Sequence, residues 1–446
     1  MSTKLIILGA GESGIGAALL AKQKGYDVFV SDAGVIAEKY LQELTENEIP
    51  FEQSGHDEEL ILSASEVIKS PGIPEKSAIV QKIRLNNISV ISEIEFAYRY
   101  ADGSKIIAIT GSNGKSTTTA LTYHICKTAN QNCAMVGNIG FSFARQIAQD
   151  PKDLYIIEIS SFQLDDIKSF RPDVAILTNI TEDHLDRYQY KLENYVNSKF
   201  RIVENQRQSD VFIYNLDDEV SMKYITNYTI NSIQAPITMR KELPQGAYLT
   251  NAKICLKWKS EEVEMNVSDF AVKGKHNLYN SMAASMAVTA IDIRKEKIRE
   301  ALQTFESLEH RMEKVATIKG VEFINDSKAT NVNSTWFALE SMTKPVILIL
   351  GGVDKGNDYN LLKELVSEKV KAIVCMGLDN NKIEEAFSDI IPLIVHTQSA
   401  EEAANTAFQI ANKGEAVLLS PACASFDLFK NFEDRGNQFK AAVRNL

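Results

Sequence analysis

Ile106-Ile107-Ala108-Ile109-Thr110-Gly111-Ser112-Asn113-Gly114-Lys115-Ser116-Thr117 decides how the middle of this chain folds. The apolar run Ile106 to Thr110 reads as a strand, and it passes straight into a glycine loop and then a helix from about Ser116 to Thr128. Glycines let such a loop curl, so that its N–H groups point at phosphate oxygens. Lys115 can then reach the β- and γ-phosphates, and the Ser116 hydroxyl can ligate Mg²⁺. A strict GxxxxGK[ST] loop has glycine where this chain has Ile109, so the loop is a variant of that pattern. Further strands are expected at Leu154 to Ile159 and at Val174 to Thr178.

Working towards the N-terminus, Lys4 to Leu8 reads as a strand followed by Gly9-x-Gly11-x-x-Gly14. A helix from Ile15 to Lys24 and strands at Asp27 to Ser31 and Val67 to Lys69 complete a βαβ pattern, so a parallel sheet is expected. Glycine spacing and Asp32, at the end of the next strand, fit a dinucleotide fingerprint. A glycine turn at a helix N-terminus binds any diphosphate, so the base remains open between a dinucleotide and a UDP-sugar.

Working towards the C-terminus, alternation at Lys253 to Lys259 and Val263 to Val267 predicts a small antiparallel patch, and Asn280 to Ile291 a buried helix. Strands at Val321 to Asn325, Val346 to Leu350, Ala372 to Met376 and Ala416 to Ser420 predict another doubly wound α/β unit. The fold class is therefore α/β in three domains: 1–93 Rossmann-like, 94–306 P-loop ATPase-like with a small antiparallel portion, and 307–446 Rossmann-like.

A chain of 446 residues has room for several cores, and its net charge of −11 argues against a general nucleic-acid binder. No signal peptide and no membrane-spanning run is evident, so a cytoplasmic protein without membrane insertion is expected. Its five cysteines, scattered without a CxxC pair, read as free thiols.

Polar residues at strand ends mark the candidate chemistry. Glu158 lies inside the apolar run Ile156 to Ile159, where a carboxylate is costly unless paired or metal-bound. His184, in Thr178-Asn179-Ile180-Thr181-Glu182-Asp183-His184, reads on its own as a hydrogen-bonded loop histidine. Taken with Glu158 and Ser116, at the carboxyl ends of strands in one unit, it tilts towards an Mg²⁺ shell. Lys199 reads by periodicity as an ordinary helix-surface lysine. Asp326 and Lys328 suit either a charged substrate or a salt-bridged turn. Cys423, with no histidine paired to it, reads as a small packed thiol.

In this order the segments TGSNGKST (Thr110 to Thr117), EISSFQL (Glu158 to Leu164), TNITEDHLDRY (Thr178 to Tyr188), GKHNLYN (Gly274 to Asn280), HRME (His310 to Glu313), NDSKATN (Asn325 to Asn331) and LSPACASFDLFKNFEDRG (Leu419 to Gly436) resemble the Mur ligase family over nearly the whole chain. EISSFQL, NDSKATN and SPACASFD resemble the branch that adds D-glutamate. That resemblance implies an ATP-dependent ligase of peptidoglycan synthesis, acting on UDP-N-acetylmuramoyl-L-alanine and D-glutamate as a monomer.

It also implies the site residues. Gly111, Ser112, Asn113, Gly114, Lys115, Ser116 and Thr117 would hold the ATP phosphates, with Asn277, Arg311 and Asp326 on the rest of the nucleotide. Ser116 and Glu158 would bind one Mg²⁺, and His184 and Lys199 a second, Lys199 as a CO₂-derived carbamate. Lys115, His184 and Lys199 would be the catalytic set. Ser13, Asp32, Ser70, Gly72 and Asn138 would meet the UDP-substrate, and Lys328, Thr330, Lys355, Ser425 and Phe432 the D-glutamate. One departure stands out: some members follow the aspartate with Thr-Arg, whereas this chain has Asp32-Ala33-Gly34.

Three rival readings differ in class. A nicotinamide-dependent oxidoreductase accounts for Gly9 to Gly14 but leaves Lys115-Ser116 and Glu158 unexplained. A P-loop switch protein leaves the third α/β unit unexplained. A ligase acting on folate or on another Mur substrate shares the chain organisation.

Overall fold

The computed structural model describes residues 4–272, 274–306 and 308–446. The proposed first residue of the third domain, Ser307, and the first three residues of the chain lie outside them. Three sheets organise the chain. The first has five parallel strands in the order Phe51–Glu52, Asp27–Ser31, Lys4–Leu8, Glu66–Lys69, Ser89–Ile91. This order reverses direction beside Lys4–Leu8, which creates a crevice at the carboxyl ends of the strands where ligands of open α/β sheets gather.

The second sheet has nine strands, with Lys105–Thr110 paired in parallel between Leu154–Glu158 and Val174–Leu177. The expected antiparallel patch is present as Gly246–Thr250, Lys253–Trp258 and Glu261–Asn266, and it extends the central sheet rather than standing apart. Gly246–Thr250 joins Ile233–Thr238 in parallel through Ile237 to Ala247 and Thr238 to Tyr248. Gly246 permits this approach: its φ is +115°, and a Cβ there would lie 2.0 Å from the Pro236 carbonyl oxygen.

Contacts divide the described chain into two compact units. One extends to Ala271 and takes in Leu278–Phe305; the other comprises Val272–Asn277 and Glu306–Leu446. Within the first unit a single apolar core runs from Leu5 and Ile15 through Phe96 and Phe143 to Tyr155 and Phe212, so the first two sheets share one interior. Helix Glu12–Gln23 packs on helix Phe143–Gln149 so closely that a Cβ on Gly16 would lie 1.9 Å from Ser142 Oγ. Arg145 ties the same contact, donating from Nε to Glu12 and from Nη1 to Glu43.

Glu93 lies in this shared interior. Its carboxyl is fully enclosed, accepts the Ala144 N–H on one oxygen, and has no partner on the other. Burial raises its pKa to about 8. The folded state therefore holds a proton that the unfolded chain releases near pH 4, and stability declines as pH rises from about 4 to about 8, by up to about 1.4 kcal/mol per unit. Glu93→Gln is expected to match the parent in thermal melting at pH 5 and to melt higher at pH 9. Parallel Tm–pH curves for the two proteins would contradict this.

In the second unit five parallel strands, Val321–Asn325, Ala416–Leu419, Val346–Leu350, Val370–Met376 and Ile394–Thr397, carry Glu313–Ile318 as an antiparallel edge. Both faces are buried: Leu348 and Leu350 enter one core, Ile347 and Ile349 the other. Strands covered on both faces read as continuous apolar runs, which is why VILIL was recognisable. Among the described residues no helix is long and apolar enough to cross a membrane.

Candidate active site

Strand Lys105–Thr110 delivers the glycine loop, and helix Lys115–Thr128 leaves it. Gly111 and Gly114 have φ of +147° and +81°, and a Cβ on Gly111 would lie 1.9 Å from Thr178 Oγ1. The segment Thr178 to Thr181 laces the loop from one side. Thr178 Oγ1 donates to the Asn113 carbonyl (2.6 Å), the Asn113 N–H to Asn179 Oδ1 (2.9 Å), and Ser112 Oγ to the Thr181 carbonyl (2.9 Å). The two sequence motifs are thus one hydrogen-bonded assembly.

Lys115 folds back over its own loop, its Nζ 2.8 Å from the carbonyl oxygens of both Gly111 and Ser112. Ser116, in the first helical turn, is buried. Glu158 ends the neighbouring strand, registers with Ile109 on one side and Gly137 on the other, and is 1% exposed. Asn138 is joined to it twice: its N–H donates to the Glu158 carbonyl (2.9 Å) and its side-chain amide to Oε1 (2.9 Å).

Lys199 corrects the reading made from periodicity. It is 1% exposed, near the end of helix Leu192–Phe200, and its Nζ donates to the Gly111 carbonyl at 2.7 Å. Helical spacing alone could not reveal this, because the partner that covers it lies 88 residues away in sequence. Burial, reinforced by the charge of Lys115, holds the Lys199 ammonium well below its usual pKa, against the opposing pull of Asp183, Asp165 and Glu158. The shift favours the neutral amine over the ammonium. Tyr195, one turn earlier, places its ring 4.4 Å from Nζ and its hydroxyl 3.2 Å from Ser112 Oγ. No sequence signal singled out Tyr195.

His184 has φ of +53°, sparsely populated for a residue with a Cβ, and its Nε2 lies 3.6 Å from Asp183 Oδ2. Its ring meets the edge of Phe162 at 5.2 Å. Among the described residues no three or more His, Cys, Asp or Glu side chains gather as a metal-holding group. Another donor set fits a hard cation: the buried Ser116 hydroxyl and the buried Glu158 carboxylate, both at the phosphate loop's end of the sheet.

At the first sheet's crevice, Ser70 Oγ donates to the Gly9 carbonyl (3.2 Å), and a Cβ on Gly14 would collide with that same oxygen at 1.8 Å. Ser13 stands in the first turn of the following helix. Both Asp32 oxygens accept backbone N–H groups, from Ala10 (2.7 Å) and Gly34 (2.8 Å). Asp32 therefore braces the glycine turn and closes its own.

The second unit holds Asn277, Arg311 and Asp326, so these belong to a different compact unit from the phosphate loop. Asp326 accepts from Ser420 Oγ (2.9 Å) and the Met312 N–H (3.2 Å), and burial raises its pKa to about 7 although Arg311 pulls the other way. Lys328 Nζ lies 5.0 Å from the Phe432 ring centroid, and Thr330 follows in the same turn. The loops of Lys355 and Ser425 meet through mutual backbone bonds between Val353 and Ala424 (2.8 and 3.3 Å). Arg435 joins these pieces, donating to Ser327 Oγ (3.0 Å), the Ser327 carbonyl (2.8 Å) and the Cys423 carbonyl (3.2 Å). Sequence reasoning gave Arg435 no role, since nothing in its local pattern shows which loops cover it. Here it is 1% exposed, and burial lowers its pKa to about 10. Cys423 is buried with its thiol pushed up to about 11, as expected of a packed residue.

Family models divide the chain in the same sequence of parts. A Mur ligase MurD-like N-terminal domain matches residues 3–92, a Mur ligase middle domain residues 109–288, and a Mur ligase glutamate ligase domain residues 310–423. The UDP-N-acetylmuramoylalanine–D-glutamate ligase of Christiangramia forsetii is 52% identical over 100% of both chains, and the protein of the same name from Bacteroides fragilis is 50% identical over 99% of this chain and 100% of its own. Among solved structures, the UDP-N-acetylmuramate–alanine ligase of Thermotoga maritima superposes with a TM-score of 0.64 at 16% identity, covering 99% of each chain. A pseudomurein peptide ligase type C from Methanothermus fervidus gives 0.60 at 22%, covering 94% of this chain and 96% of that one. These last two likenesses speak for the fold. With three consecutive domain matches and half its residues shared end to end with such relatives, this chain belongs to the Mur ligase family.

Proposed function

We propose that the protein uses ATP to join the L-alanyl carboxylate of UDP-N-acetylmuramoyl-L-alanine to the amine of D-glutamate, in cytoplasmic peptidoglycan precursor synthesis. The observation that carries this reading is the meeting of Lys115 and Lys199 on one carbonyl oxygen, that of Gly111, inside a phosphate loop flanked by Glu158. End-to-end identity with relatives named for this reaction supports the choice of substrates.

The substrate carboxylate attacks the γ-phosphorus of ATP; the bond to the bridging oxygen breaks, and ADP leaves with the electron pair. Lys115 swings from its resting carbonyls to the γ-phosphoryl oxygens, and the N–H groups of residues 111–117 hold the remaining phosphates. The resulting acyl phosphate is attacked by the amine of D-glutamate, which loses a proton as phosphate departs. Bound Mg²⁺ supplies charge neutralisation at the phosphates, with Ser116 and Glu158 suited to one ion and His184 and a carbamylated Lys199 to a second. The carbamate would form by attack of the unprotonated Lys199 nitrogen on CO₂, with release of one proton. Asn138, hydrogen-bonded to Glu158, meets the UDP-substrate near the phosphates. Asn277, Arg311 and Asp326 take the base, phosphate and ribose of the nucleotide. Ser13, Asp32, Ser70 and Gly72 serve the UDP-sugar, with Asp32 acting through the turn it braces. Lys328 and Lys355 match the two carboxylates of D-glutamate, with Thr330, Ser425 and Phe432 beside them. The domains proposed for these tasks are 1–93, 94–306 and 307–446, in a monomer.

Phosphate release is expected from Mg²⁺, ATP and UDP-N-acetylmuramoyl-L-alanine only when D-glutamate is the added amino acid, with one new amide per phosphate. Release with another amino acid would preserve the ligase and overturn the substrate, and no release with any would overturn the reaction.

A further inference from the structure

One side chain that the scheme above does not use spans two of its parts. Arg187 Nη2 donates to the carbonyl oxygens of Pro71 and Ile73, both at 3.3 Å, and so grips the turn that carries Ser70 and Gly72. The same guanidinium lies over the Phe162 ring, 4.3 Å from its centroid. Phe162 in turn meets His184 edge-on at 5.2 Å and stacks with Tyr188 at 5.8 Å. The Arg187 N–H also donates to the His184 carbonyl at 2.9 Å. Arg187 and His184 are therefore joined both through the backbone and through one aromatic ring.

The loop that carries them is not a relaxed one. His184, Gln189 and Tyr190 all have positive φ, at 53°, 58° and 56°. Residues with a Cβ stay in that region only when surrounding contacts over-determine them. Arg187 supplies such contacts from the first sheet's turn. A lysine could match its charge, but not a planar group that stacks on a ring while donating sideways to two carbonyls.

We propose that Arg187 is a positioning residue that couples the two substrate sites: filling the turn 70–73 fixes the carbonyls Arg187 grips, and Arg187 thereby sets the loop of His184 for the nucleotide. This rests on the reading of that turn as part of the UDP-substrate site. A ligand that steadies one arrangement of this loop steadies it for the other, so each substrate tightens the other by the same factor.

The test is calorimetric and needs no turnover. The Kd of a non-hydrolysable ATP analogue with Mg²⁺ is measured with and without saturating UDP-N-acetylmuramoyl-L-alanine, in the parent, Arg187→Ala and Arg187→Lys. The parent is expected to show a ratio of about 5 or more, in the range usual for coupled sites. In both variants the ratio is expected to fall to near one, with the proteins still folded at the temperature of the titration. A brace without coupling would leave the ratio intact whatever the melting temperature, which would overturn the proposal, as would a parental ratio of one. Gly72→Val separates the underlying reading, because a Cβ at Gly72 meets nothing within 4 Å and the variant should fold. If Gly72→Val leaves UDP-substrate affinity unchanged, the site reading falls and the proposal with it. If it weakens that affinity while Arg187→Ala keeps the ratio, only the coupling falls.

Discussion

Lys115→Ala is expected to reduce D-glutamate-dependent phosphate release by ~10²–10³-fold, the scale seen when a preorganised charge-stabilising donor is removed from an enzyme site. The lysine is held by two carbonyl oxygens of its own loop, at 2.8 Å each. In the proposed reaction its ammonium is the cation the loop itself supplies to the γ-phosphoryl group. The loop's shape depends on Gly111, Gly114 and the Thr178 to Thr181 segment, so the variant should fold and melt like the parent. Phosphate release by a coupled assay, with circular dichroism as the folding control, checks this. Near-normal turnover in a folded variant would remove Lys115 from phosphoryl transfer.

Lys199→Ala is expected to cost ~10²–10³-fold in the same assay. Lys199→Arg should not restore activity, since an arginine stays protonated and cannot take up CO₂. Burial and the charge of Lys115 push the Lys199 pKa down, which favours the neutral form of the amine that CO₂ requires. Exhaustive removal of CO₂ and bicarbonate should therefore lower the parent's activity, and added bicarbonate should restore it. A second arm is independent of turnover: mass spectrometry under non-denaturing, CO₂-replete conditions should find one adduct of CO₂ in the parent and none in Lys199→Ala. Full activity of the alanine variant would end the proposed role. Insensitivity to CO₂ together with loss in the variant would keep Lys199 essential as an amine.

The rival readings separate on these same residues. An oxidoreductase using the first glycine turn has no need of Lys115, and a nucleotide switch has no need of D-glutamate. The Asp32 geometry bears on the first of these, because both carboxylate oxygens are already committed to backbone N–H groups. A ribose hydroxyl would have to share them.

Sequence alone determined the parts of this protein that depend on neighbours in the chain. Apolar runs such as Ile106 to Thr110 and Val346 to Leu350 could be read as strands because strands covered on both faces need only apolar side chains. The glycine loop was legible because Gly111, Gly114, Lys115 and Ser116 act within one turn of chain. Family likeness then ordered the remaining segments into a ligase. The short edge strands, such as Phe51–Glu52 and Ile394–Thr397, carry no long run, and their pairing is decided by the strand beside them.

Only the tertiary structure decided what depends on residues far apart. It placed Lys199 inside, against a carbonyl 88 positions earlier, and so turned a surface-like lysine into a buried amine with a lowered pKa. It tied Asn138 to Glu158 across the sheet, and Arg435 to two loops whose residues lie up to 108 positions away. It attached the antiparallel hairpin to the central sheet through Gly246, and it brought Arg187 from the His184 loop to the turn at Pro71 and Ile73. The physical reason is the same in each case. Burial and hydrogen bonding are set by whatever element packs alongside, and a linear pattern records only the preference of a segment for being covered, never the group that covers it.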